Sequence, residues 1–360
     1  MVRRSLVRAF VVVLCMSALY LLNSYFEPHF DFNSFWGAGR ALLERRNPYD
    51  YSVIQEILAP RPTANFNYPL FIAVLVVPLG LFDLETAKNI WLTLSEIALI
   101  LSIYLIIGPR PKAKDFVLST LGCAAFVPSL LTFFDQQTSM FALFLLSLVY
   151  HGLKRDRPVL AGAALAAGLI KPQTMALVLP VTLFRLSRKG LLAFAVTFGC
   201  LLIVAFGLMP DWPLHWWASA SWITREAGRA IPTVWGLSWA LTSQYWLGGL
   251  LSLGLLATLL LDTRFDFVLT AGLFLPVYMK PYDLVLLCIP ALSTPGRRLL
   301  GVLVIVSYLL LFWAAVSGRS GDIFVLLTVI TLGWLFYRDR ALVHERIEGY
   351  RMFLNRRGRS

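Results

Sequence analysis

The chain has 360 residues, 58% of them hydrophobic and only 14% charged, with a mean hydropathy of +0.71. Soluble domains carry about 25% charged residues, so this composition excludes a soluble globular protein and makes the bilayer the main solvent. The net charge of +12 fits basic loops held at the cytoplasmic face better than a nucleic-acid footprint, so membrane lipids are expected as partners and nucleic acid is not.

The apolar runs are long and continuous rather than alternating ten-residue segments, which points to helices and away from a β-barrel. The expected fold is an all-α integral membrane bundle of about 11–13 transmembrane helices. Its candidate spans are 6–26, 86–107, 116–134, 138–153, 158–170, 174–184, 191–209, 236–261, 267–279, 282–293, 299–316 and 322–337. The basic, apolar start "MVRRSLVRAFVVVLCMSALYLLNS" lacks a clear small-x-small cleavage site after it and reads as a retained signal anchor.

Directly after this run comes "FDFNSFWGAGRALLERRNPYD" (30–50), which opens with Asp31. "RALLERR" has the pattern of a short amphipathic helix, and Asn47-Pro48-Tyr49 turns the chain. The stretch 68–82, "YPLFIAVLVVPLGLF", is short and holds Pro69 and Pro78, so it either crosses or lies in the interface. Charge separates the two. Leaving 68–82 on the outer side puts most of the 32 Lys and Arg residues, including "PRPKAK", "KRDR" and "RLSRK", inside together. The expectation is a single polytopic domain over 1–360 with both termini cytoplasmic. It has a structured outer loop over 27–85 with short interfacial helices, and a basic cytoplasmic tail over 338–360.

Two later segments repeat one arrangement. "LAAGLIKPQTMALVLP" (165–180) breaks at Lys171-Pro172, and "FLPVYMKPYDLVLLCIP" (274–290) breaks at Lys280-Pro281. Proline removes a backbone donor and ends helix continuity, and a lysine at such a break inside a membrane protein is costly unless it meets an anion. The alternative is that each lysine snorkels to the headgroups. On the same side, "DWPLHWWASASWITREAGRAIPTVWG" (211–236) reads as a loop carrying His215, Trp216, Trp217, Arg225, Glu226 and Arg229, although tryptophans there also mark an interfacial belt.

The four cysteines, Cys15, Cys123, Cys200 and Cys288, all fall in apolar runs and read as small core residues. The four histidines form no ligand-spaced cluster, so neither a metal site nor a cofactor is expected. An acid, several cations and aromatics at membrane level suit a sugar hydroxyl and a lipid-borne phosphate, the chemistry of glycosyl transfer from a lipid-linked phosphosugar.

With these strings in view, the chain resembles the polytopic glycosyltransferases of the GT-C fold. It is most similar to family 87, the polyprenyl-phosphate-mannose-dependent α-mannosyltransferase-like proteins. The likeness spans most of 27–295 and rests on "DFNSFWGAGRALLERRNPYD", "FNYPLFIAVLVVPLGLF", "DQQTSMFALFLLSLVYHGLKRDRPVLAGAALAAGLIKPQTMALVLPVTLFRLSRKG" and "LPVYMKPYDLVLLCIPAL". There are departures. Asp135-Gln136-Gln137 stands where relatives often show Gly-Gln, and Pro281-Tyr282-Asp283 where they often show an aromatic-Asp-His.

The resemblance implies an integral protein of the bacterial plasma membrane. It implies a polyprenyl-monophosphate sugar donor, a lipid or glycan acceptor, transfer on the outer face, inversion at the anomeric carbon, and a catalytic acid early in the first outer loop, here Asp31. Mannose is the sugar it implies.

On this reading Asp31 is the general base. Lys171, Lys280, Arg225 and Arg229 are candidates to hold the donor phosphate. His29, Tyr49, Asp135, Gln136, His215 and Asp283 are candidates for sugar or acceptor contacts. Asp31 has a plainer reading as a helix N-cap. Asp50, Glu27 and Glu44 are competing carboxylates; Asp50 reads as closing a turn, and Glu96 as pairing inside the bundle. Asp283 is open between a salt bridge to Lys280 and a sugar contact. A rival function is a polytopic transporter or lipid flippase for a phosphorylated or glycosylated substrate, since broken helices with buried charge also mark transporters. A structural subunit is a further alternative.

Overall fold

The structure, a computed structural model, describes residues 16–108, 111–226, 231–259, 262–294, 297–317 and 321–340, with the backbone alone for 222–226 and 321. The described residues are helical and contain no strand. Helix α1 is described over 16–23. Three short helices follow: α2 (Phe30–Leu43), α3 (Tyr51–Leu58) and α4 (Leu70–Val76). Helix α2 starts earlier than "RALLERR" predicts and carries Asp31 in its first turn. The cap is His29, whose side chain accepts the Asp31 N–H, so Asp31 is not the N-cap. Asp50 caps α3 by accepting the Ser52 N–H at 2.9 Å, and Asn47 Oδ1 accepts the Tyr49 N–H at 2.9 Å in the expected turn.

Helix α5 (Leu84–Ile107) is capped by Asp83 and stops at Gly108, whose φ of 98° suits glycine. Helices α6 (Ala113–Ala125) and α7 (Val127–Phe134) meet at a 64° bend, just before Pro128 withdraws a backbone donor. Then come α8 (Ser139–Lys154), α9 (Pro158–Ala167), α10 (Val178–Arg185), α11 (Arg188–Leu208) and α12 (Trp212–Glu226). The later elements are α13 (Val234–Thr242), α14 (Trp246–Thr258), α15 (Phe265–Gly272), α16 (Cys288–Ser293), α17 (Arg298–Ser317) and α18 (Val325–Arg338).

Among the described residues, α5, α11 and α17 are each long and apolar enough to cross a membrane, and the bent pair α6–α7 makes a fourth candidate. Several other apolar stretches are divided. The stretch 236–261 is two helices, α13 and α14, packed on each other and parted at Ser243, which takes the left-handed conformation with φ 56°. The 174–184 and 267–279 stretches yield only the eight-residue α10 and α15. In the ambiguous 68–82 stretch, α4 ends before Pro78, and its seven residues reach about 10 Å, one-third of the hydrocarbon core. The segment 211–236, read as a loop, is largely helix α12.

Among the described residues two large apolar cores form, beside a small cluster of Val234, Phe274 and Val325. The larger joins α5–α10 with α15–α18. The smaller is made by α2, α3, α4 and the start of α5, closed by Ile170, Ala205 and Trp212. Helices α9 and α11 touch backbone to backbone, because a Cβ on Gly162 would lie 2.0 Å from the Gly190 carbonyl oxygen. A charged cluster ties the start of α15 to the end of α18. Arg338 pairs with Asp266 at 2.7 Å and with Asp339 at 2.8 Å, while Arg264 bridges Asp262 and Asp339.

Candidate active site

The two lysine-proline strings place their breaks side by side. After α9, the 3-10 turns Gly168–Ile170 and Pro172–Met175 flank Lys171. After α15, Lys280 leads into the 3-10 turn Pro281–Leu287. Lys171 and Asp283 are fully buried and paired, with Nζ 2.5 Å from Oδ1. Ser139, at the start of α8, accepts from Lys171 Nζ at 2.5 Å and donates to Asp283 Oδ1 at 2.8 Å. Asp283 Oδ2 accepts the Lys280 N–H at 3.2 Å. The Tyr282 ring lies under the ammonium, 4.8 Å from centroid to Nζ. One carboxylate thus answers a buried cation and an amide left free by the break.

Above this floor opens a cavity of about 1190 Å³. Its walls are the start of α2, the 63–69 segment, the end of α7, both lysine-proline breaks and α12. Asp31, His29, Asp135 and Lys280 all line it, together with Tyr68, Tyr278, Tyr282, Gln137 and Trp216.

The two cavity carboxylates sit on opposite sides of one imidazole. His29 Nδ1 is 3.8 Å from Asp31 Oδ2, and His29 Nε2 is 3.7 Å from Asp135 Oδ1. Nδ1 also accepts the Asp31 N–H at 3.4 Å, which assigns the neutral ring proton to Nε2, toward Asp135. The Phe30 and Phe134 rings, 4.0 and 6.0 Å away by centroid, flank the imidazole. Both carboxylates lie outside the helices that are candidates to cross the membrane, Asp135 directly after α7. Burial raises the Asp31 pKa above the usual carboxylate range, against the opposing pull of Gln137, His29, Lys171 and Lys280. Burial likewise pushes Asp135 up to about 6, with Asp31 adding to the rise and His29 opposing it. A carboxylate with a raised pKa is a stronger base.

Gln136 and Gln137 divide their work. Gln136 has φ 53°, in the left-handed region that glycine favours, so the departure from Gly-Gln is strained. Its side chain offsets that strain by donating to the Glu27 carbonyl at 2.8 Å and accepting the His29 N–H at 2.9 Å. Its carbonyl accepts from Trp91 Nε1 at 2.9 Å. It fixes the segment before α2 and does not line the cavity. Gln137 does line it, and its Oε1 accepts from the Tyr68 hydroxyl at 3.0 Å.

Several expected site residues sit elsewhere. Lys171, expected at the donor phosphate, is sealed beneath the cavity by Asp283, so Lys280 is the lysine that faces the open space. Asp283, left open between Lys280 and a sugar, pairs with Lys171. Tyr49 and His215 brace the wall from behind. The Tyr49 hydroxyl donates to the Tyr68 carbonyl at 2.9 Å, and its ring stacks on His215, which contacts Asp211 at 3.1 Å. The Arg225 side chain and Arg229 lie outside the described residues.

Sequence reasoning passed over Tyr68, Tyr278, Tyr282, Gln137 and Ser139. Their signal was present in "FNYPL", "VYMKPYD" and "DQQTS", strings whose prolines and charges drew attention away from the tyrosines and the serine. Among the described residues, no cluster of three or more His, Cys, Asp or Glu side chains has the arrangement of a metal site.

A chamber with a basic carboxylate on one wall, a cation on another and tyrosines between can deprotonate a hydroxyl while holding an anionic leaving group. No curated protein and no solved structure matches the chain. A family model, that of glycosyltransferase family 87, matches residues 66–338, a stretch that includes Asp135, both lysine-proline breaks and α12 and begins after Asp31. The match covers well over half the sequence, and the chain therefore belongs to glycosyltransferase family 87.

Proposed function

We propose that this membrane glycosyltransferase moves a hexose, mannose first among them, from a polyprenyl-monophosphate donor to a lipid or glycan acceptor, with inversion and with Asp31 as general base. The observation that carries the reading is that Asp31 and Lys280 face one chamber, a base and a cation on separate walls. The acceptor O–H gives its proton to the Asp31 carboxylate as its oxygen bonds to the anomeric carbon. The bond from that carbon to the phosphate oxygen breaks, and the electron pair leaves with the lipid phosphate. Lys280 balances the charge that gathers there, and positive charge building on the sugar ring is met by the carboxylates. The bias of basic residues toward the other side of the membrane supports an outer-facing chamber.

The test uses purified enzyme in nanodiscs with polyprenyl-monophosphate donors carrying different hexoses. Wild type is expected to transfer mannose from such a donor, and Asp31→Asn to lose about 10²-fold or more in turnover at unchanged folding. Undiminished turnover by Asp31→Asn removes Asp31 from the mechanism, and transfer only from nucleotide sugars overturns the donor class.

A further inference from the structure

Asp31 cannot serve as a base twice without losing the proton it has taken. It is 21% exposed and lines a chamber that donor and acceptor must fill. His29 lies between it and Asp135, each carboxylate less than 4 Å from a different ring nitrogen. The ring is oriented for one direction of transfer. The single Nδ1 lone pair points to the start of α2, where it accepts the Asp31 N–H, and Nε2 carries the proton on the Asp135 side.

Resting on the function proposed above, we infer that His29 and Asp135 form a proton exit that resets Asp31 after each transfer. Protonated Asp31 gives its proton to Nδ1, which first lets go of the Asp31 N–H, as Nε2 releases its own to the Asp135 carboxylate. Asp135 then loses it to water, and the histidine returns to its starting tautomer through solvent exchange. No electron moves, and the net change is one proton carried from the acceptor hydroxyl to bulk water. His29 and Asp135 are positioning and proton-handling residues here.

The surroundings suit this role. The charged and titratable groups around the trio are Lys280, Tyr278, Tyr282 and Asp283 from the second break, Lys171 from the first, and Tyr68 from the 63–69 wall. Both lysines favour ionised carboxylates, while burial keeps Asp135 basic enough to receive a proton near neutrality, with a pKa of about 6.

The experiment measures turnover against pH for wild type, His29→Asn, Asp135→Asn and Asp31→Asn in nanodiscs, with and without added imidazole. Asparagine at 29 keeps a side-chain acceptor for capping α2 yet cannot pass a proton, which separates cap loss from proton transfer. The expected result is a turnover about tenfold or more lower in His29→Asn and Asp135→Asn, with imidazole restoring part of the rate. In Asp135→Asn the rise of the wild-type rate through pH about 6 disappears. Wild-type rates and pH profiles in both variants, beside an inactive Asp31→Asn, overturn the proton exit and leave the base assignment intact. A fully active Asp31→Asn overturns both.

Discussion

Lys171 Nζ and Asp283 Oδ1 lie 2.5 Å apart with neither side chain exposed to solvent, and they join the two lysine-proline breaks into one floor. Each break frees backbone groups and buries a polar side chain, and each supplies what the other lacks. Removing either partner leaves an unpaired charge in a dry interior. Lys171→Ala or Asp283→Ala is therefore expected to cost about 3–5 kcal/mol of stability, and the double replacement Lys171→Met with Asp283→Leu less than either single change. Thermal unfolding in detergent checks this, and a double variant less stable than both singles contradicts it.

Among the described residues, Lys280 is the lysine that faces the chamber, close to the Tyr278 ring at 5.8 Å and with no described carboxylate at ion-pair distance. Lys280→Ala is expected to lower turnover with the lipid-phosphate donor by about 10²-fold while unfolding at nearly the wild-type temperature. Donor titrations against a fixed acceptor read the effect, and an unaltered donor response shows that the ammonium does not meet the phosphate.

Asp135 makes stability depend on pH. Its folded pKa of about 6 lies above the ordinary value of 3.8, so the folded state holds this proton more tightly than the unfolded chain does. Its contribution is fully present below pH about 4 and fades as pH rises through about 6. Melting temperatures recorded from pH 4 to 7 are expected to fall more steeply for wild type than for Asp135→Asn. Parallel curves for the two proteins run against the assignment.

Gly162 sets the distance between α9 and α11, since its would-be Cβ meets the Gly190 carbonyl, which is backbone and cannot swing aside. Gly162→Ala is expected to destabilise by about 1–3 kcal/mol. A methyl group at Gly199, which has open space around it, is the control and is expected to be near neutral. Equal melting temperatures for the two variants refute the close contact.

Composition and apolar run length alone specified an all-helical membrane protein, because a bilayer leaves the backbone no other way to satisfy its polar groups over such lengths. The strings around Asp31 and the two lysine-proline breaks were equally legible, since proline and buried charge are costly and stand out in apolar sequence. What single residues could not reveal was pairing. Two identical Lys-Pro motifs predict two equivalent lysines, and only packing against Ser139 and Asp283 makes one of them structural and leaves the other in the chamber.

The same holds for the acid end of the site. Asp31 was visible by its place, but its neighbours were set by the fold: Gln136, in a left-handed conformation, pins the chain before α2 so that His29 falls between Asp31 and Asp135. Apolar run length also left 236–261 as one span, because apolar character persists across the left-handed turn at Ser243 that divides it. The sequence by itself determined the solvent, the helical class and the residues too costly to be accidental. Only tertiary structure decided which charges neutralise one another and which remain to face a substrate, because that choice depends on contacts between segments far apart in the chain.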